Sequence, residues 1–122
     1  MTGTDGVTPA DSAKLGRLAI DKRFHGELDA ESQGEMLSAR SSKAGSAGYV
    51  AMEKVSGTLM GRHGTFVLQH SGTMGAGQQS LNVAVVPDSG SDQLTGLAGT
   101  MTIRIEGGQH YYDFTFTLPG LA

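Results

Sequence analysis

The chain has no cysteine among its 122 residues, so disulfide staples, thiolate catalysis and thiolate metal ligation are all excluded. That absence suits a reducing compartment, and cytoplasm is the expected location. There is no basic excess either. Nine Lys and Arg stand against twelve Asp and Glu, a net charge of −3, which leaves no electrostatic footprint for a phosphate backbone. Nucleic acid is not an expected partner. At 38% apolar residues the chain is too polar for a membrane protein. Its first residues, MTGTDGVTPADSAK, lack the apolar segment behind a basic start that marks a secretory signal. Helical spacing is nowhere sustained. The best helix candidate, residues 11–18, is short and serves equally well as the lead into a strand.

Glycine, by contrast, is abundant: 19 residues, more than twice the usual share of roughly 7%. After a Thr-, Gly-, Asp- and Ser-rich tail at residues 1–13, short apolar runs alternate with glycine and serine clusters through residues 14–122. This is the pattern of a single all-β domain. The last hairpin is the clearest element. Gly107-Gly108 supplies the positive φ angles that a two-residue primed turn needs. Arithmetic then sets Ile103 opposite Tyr112 and Met101 opposite Phe114. One face collects Met101, Ile103, Ile105, His110, Tyr112, Phe114 and Phe116, and a slip of one residue would scramble it.

A second hairpin is expected around residues 61–64, with His63 in its turn, followed by a strand placing Phe66, Leu68 and His70 on one face. Residues 80–86 form another strand, ended by Pro87-Asp88-Ser89-Gly90. Residues 18–28, 34–41 and 49–55 add three more. Seven or eight strands result, enough for a small barrel to close. A phrase recurs as Ser56-Gly57-Thr58-Leu59, Ser71-Gly72-Thr73-Met74 and Ala98-Gly99-Thr100-Met101. Its glycines read as positions where a strand bends or another backbone approaches closely, with chance in a Gly- and Thr-rich chain as the alternative.

The stretches GYVAMEKVSGTL, GTFVLQHSGTM, VVPDSG, LTGLAGTM and YDFTFTLP resemble the small bacterial proteins grouped as domain-of-unknown-function family 3224. The resemblance spans about residues 24–119. It implies a fold similar to allene oxide cyclase: an eight-stranded, mainly antiparallel closed barrel, often oligomeric, of undefined activity. The plant cyclase closes a ring on an unsaturated fatty-acid epoxide without a cofactor. Its catalytic residues do not align onto this chain, and fold alone carries no function.

Candidate chemistry centres on His70, whose imidazole shares a strand face with Phe66 and Leu68. A titratable group among apolar walls is suited to acid–base work, although most buried histidines are simply hydrogen-bonded and inert. Glu53 shares the face of Tyr49, Ala51 and Val55, as a general base, a ligand anchor, or a surface charge paired with a neighbour. His110 and Tyr112 fall in the apolar row of the last hairpin, near a barrel mouth. His70, Glu53, Tyr49, His110, Tyr112 and Phe66 are therefore the candidate ligand-binding residues. On the opposite face Arg104 faces Tyr111 and lies diagonal to Asp113, which cross-strand pairing explains.

Glu27, Asp29, Glu31 and Glu35 lack any metal-ligand spacing, and the histidines form no His-x-x-x-His pattern, so no metal is expected. The glycines of GTMGAGQQS lack a P-loop lysine and a following helix, and no Gly-x-Ser-x-Gly elbow occurs. Two functions of different class remain. One is binding of a small apolar or amphipathic molecule in the barrel; the other is a cofactor-independent isomerase or cyclase acting on such a molecule. A homodimer or higher homo-oligomer is the expected assembly.

Overall fold

The computed structural model describes residues 14–41, 43 and 45–120. Seven strands follow one another in a single antiparallel sheet: β1 (Lys14–Phe24), β2 (Leu28–Arg40), β3 (Ala47–Leu59), β4 (Arg62–Gly75), β5 (Gln78–Val85), β6 (Ala98–Glu106) and β7 (Gln109–Thr117). Their order in the sheet is their order in the chain. Such a meander arises where neighbouring segments are joined by turns too short to do anything but reverse direction.

Three hairpins use two-residue turns with both φ angles positive: Met60-Gly61 at 50° and 84°, Ala76-Gly77 at 51° and 77°, and Gly107-Gly108 at 57° and 80°. The last has the register read from the sequence, Ile103 opposite Tyr112 and Met101 opposite Phe114. The first is tighter than expected. Arg62, His63 and Gly64 lie within β4, so His63 is a strand residue opposite Thr58 rather than part of a turn. The Gly75-Ala76-Gly77 segment is likewise a hairpin turn. The helix candidate at residues 11–18 is strand from Lys14 onward, and its first three residues lie outside the described ones.

The closed eight-stranded barrel expected from the sequence gives way to an open seven-stranded sheet. The expected segments at 49–55 and 55–60 are one strand, β3, and the strand expected from Gly34 begins at Leu28 instead, so that Gly34 sits in the middle of β2. A Cβ there would lie 2.0 Å from the carbonyl oxygen of Met52, so the glycine admits the neighbouring backbone and the strand runs on unbroken. Gly57, Gly72 and Gly99 of the recurring phrase behave similarly; their Cβ atoms would come within 2.4–2.6 Å of Asp29 O, Tyr49 Cε1 and Thr115 O.

The sheet nevertheless curls until its two edges touch. Phe24 on β1 packs edge-to-face on Tyr112 of β7, with ring centroids 5.0 Å apart. The Tyr112 hydroxyl donates to the carbonyls of His25 (2.9 Å) and Leu28 (3.1 Å). Side chains span the seam where a backbone ladder would close a barrel. One end of the interior is filled by Val55, Leu59, Phe66, Leu68, Leu94 and Leu97, all at most 2% exposed. Leu94 and Leu97 come from the β5–β6 connection, which lies along β4. There Ser89 Oγ and Ser91 Oγ accept from the backbone N–H groups of Val67 and Thr65, satisfying donors that β5 is too short to reach.

On the outer face of β1 and β2 Arg17 pairs with Glu35 and Arg23 with Asp29 and Glu31, beside the exposed Leu15 and Leu37. Asp29, Glu31 and Glu35 are thus exposed partners of surface arginines, on the solvated edge that the sequence suggested. Arg104 similarly meets Asp113 and Glu106 and stacks over Tyr111.

Candidate functional site

Four successive strands each contribute one inward-facing polar side chain to a connected group: Lys22 from β1, Ser32 from β2, Glu53 from β3 and His70 from β4. Antiparallel register brings them together. Lys22 is opposite Ser32, Ser32 is opposite Val55, and His70 is opposite Ala51, so Ser32 and His70 each lie diagonal to Glu53. Glu53 is fully buried, its Oε2 accepting from Ser32 Oγ at 2.5 Å and its Oε1 lying 2.7 Å from His70 Nε2. Lys22 Nζ approaches Oε2 at 3.3 Å while resting over the Phe24 ring at 5.0 Å.

A buried carboxylate survives only if its lost hydration is replaced. Burial pushes the Glu53 carboxyl up. The hydrogen bonds of His70 and Ser32, with the attraction of Lys22 and of His70, outweigh that effect and hold it below the usual carboxylate range. Glu53 is therefore an anion at neutral pH, and its contact with Nε2 makes that nitrogen the donor. The second ring nitrogen, Nδ1, makes none of the described hydrogen bonds. Since no buried side-chain nitrogen or oxygen lacks a partner among the described residues, Nδ1 keeps contact with solvent. The imidazole is thus oriented by a carboxylate on one side and open on the other.

One step farther along the inner face, beyond His70 and Ala51, the interior is no longer filled. A groove of about 390 Å³ is lined there by Met36, Ser38, Tyr49, Gly72, Met74, Leu81 and neighbours. The Tyr49 ring occupies the space above Gly72, where a Cβ would lie 2.6 Å from its Cε1. Burial and the nearby charge of Glu53 raise the Tyr49 hydroxyl above its ordinary pKa, keeping it a neutral donor. β6 pairs with β5 only through Val83 and Ala84, so the first half of β5 has no strand on its far side. That leaves Leu81 and Met74 43% and 44% exposed.

Of the residues singled out in the sequence, Glu53 and His70 are in direct contact, and Tyr49 stands on the same face at the groove. Phe66 belongs to the filled core, stacked on Phe114. Tyr112 sits at the seam, its hydroxyl committed to two backbone carbonyls. His110 faces Ile105, and its side chain lies outside the described ones. Ser32 and Lys22 were not singled out: a serine and a lysine on half-buried strands carry no pattern, and only the β1–β2–β3 register aims them at Glu53. No cluster of three metal-ligating side chains occurs among the described residues.

The family model described as protein of unknown function (DUF3224) matches residues 2–116. The chain belongs to the DUF3224 family. A solved DUF3224 protein of unknown function from Shewanella oneidensis MR-1 is 55% identical, with a TM-score of 0.87 over 98% of this chain and 89% of the other. No curated protein matches. No helix among the described residues is long and apolar enough to cross a membrane.

Proposed function

We propose that this DUF3224 protein binds a small amphipathic molecule in the groove at the open end of the sheet. The apolar body would lie against Met36, Tyr49, Met74 and Leu81, and the polar end would point toward His70 Nδ1 and the Tyr49 hydroxyl. The carrying observation is that the buried, carboxylate-oriented imidazole lies one inward position along β4 from Gly72, which lines an unfilled, largely apolar groove on the same sheet face. A protein that needed only stability would gain more from filling both positions with apolar side chains. The groove volume falls within the range of small-molecule sites, roughly 300–1,000 Å³.

A second reading is a cofactor-independent isomerase or cyclase, as the resemblance to allene oxide cyclase suggests. One observation favours it: Glu53 occupies Nε2 of His70, which leaves Nδ1 as the ring nitrogen available to a reacting group.

Native mass spectrometry of protein purified from its own host tests binding, together with titration by the fluorophore 1-anilinonaphthalene-8-sulfonate. A co-purified molecule, or saturable dye binding weakened at least about tenfold by Met36→Asp, is the expected result. His70→Leu should keep the fold and lower retention of the co-purified molecule. Protein that carries nothing and takes up no dye would overturn the proposal; unchanged retention in His70→Leu would remove that residue from the site.

A further inference from the structure

The unpaired edge of β1 carries a second kind of information. Among the described residues β1 has β2 on one side only, residues 16–19 and 21–22 are exposed, and β7 reaches this strand at Phe24, through Tyr112. Leu18 on this strand is 60% exposed, and Leu15 is 84% exposed. A long unpaired edge bearing apolar side chains is a template for strand addition unless it is guarded. The guards here are charges, and their order matters.

Two antiparallel copies of one strand, related by a twofold axis through the sheet, keep the same face only if the axis passes through a residue position. Four positions near the middle of β1 are available. Centring on Leu18 sets Lys14 against the partner's Lys22. Centring on Ile20 sets Arg17 against the partner's Arg23, and centring on Asp21 opposes the two aspartates. Of these four, centring on Ala19 alone opposes no like charges directly. It places Arg17 opposite the partner's Asp21 twice over, and on the inner face Leu18 opposite the partner's Ile20.

Within one chain Arg17 uses a single nitrogen, Nη2, on Glu35 at 2.7 Å, and the rest of its donor fork is unspent. Asp21 has no ion pair among the described residues. We infer that β1 pairs with β1 of a second copy about Ala19, joining two seven-stranded sheets into one and making the protein a homodimer. Charges that repel a misregistered strand become attractive in this register.

Sedimentation or light scattering at tens of micromolar should give twice the 12.6 kDa chain mass. Asp21→Arg sets Arg17 against an arginine at both symmetric contacts, and Arg17→Glu sets a glutamate against Asp21. Each should weaken dimerisation roughly tenfold to a hundredfold. Both side chains are exposed, so circular dichroism should show the fold intact. Mixing the two variants restores both opposite-charge contacts, and a heterodimer should form. A monomeric wild type, variants that dimerise as the wild type does, or a mixture that stays monomeric would each overturn the inference.

Discussion

Replacing His70 with leucine removes the 2.7 Å contact to a fully buried carboxylate and substitutes an apolar side chain of similar bulk, so little cavity forms. A hydrogen bond to a charged group contributes roughly 1.5–3 kcal/mol. Glu53 keeps Ser32 and Lys22, which places the expected loss at about 2 kcal/mol, below the roughly 3–5 kcal/mol of a buried charge left with no partner. Glu53→Leu removes the buried charge but orphans His70 Nε2 and Ser32 Oγ, at about 1–3 kcal/mol each. In the double variant only Ser32 is orphaned. The two substitutions should therefore fall short of additivity by about 3 kcal/mol or more, the sum of the His70→Leu loss and the cost of an orphaned His70 Nε2. Urea denaturation of the four proteins measures this, with the slope checked for constancy. Losses that add within about 0.5 kcal/mol would refute the claim that Glu53 and His70 act as a unit in the interior.

Acid should act through the same carboxylate. Its folded pKa lies below the ordinary value of 4.5, so its contribution is complete above that value and is lost as pH falls through the lower folded pKa. Melting temperature followed from pH 7 to pH 2 should consequently fall less steeply below pH 4.5 in Glu53→Gln than in the wild type; parallel profiles would contradict the assignment. Gly34→Ala and Gly48→Ala form a second contrast. A Cβ at Gly34 would lie 2.0 Å from Met52 O, whereas at Gly48 the nearest atom is 3.6 Å away. Thermal melts should show a loss of at least about 2 kcal/mol for the first and within about 0.5 kcal/mol of zero for the second.

Alternation and turn chemistry made much of the fold legible in the sequence. Glycine pairs fix the final hairpin to the residue, because only positive φ at both turn positions fits the strand twist. Once the register is fixed, inner and outer faces follow by parity. The same parity placed Glu53 in the row of Tyr49, Ala51 and Val55 and His70 in the row of Phe66 and Leu68, without saying which rows face inward. It could not place one against the other, since their contact spans β3 and β4 at a diagonal set by a turn that proved two residues shorter than expected. Gly34 reads as the start of a strand for a related reason: glycine at a strand end and glycine under a neighbouring backbone look identical in one dimension.

The sequence by itself determined the strand periodicity, the all-β class and the shared face of Phe66, Leu68 and His70, because these depend on local backbone preference and a period of two. Tertiary structure alone decided that seven strands curl without closing, and that Lys22 and Ser32 converge on Glu53. Both depend on how far the sheet coils and on registers accumulated across several strands. A buried anion held by donors from three neighbouring strands is a property of the assembled sheet, and no single segment encodes it.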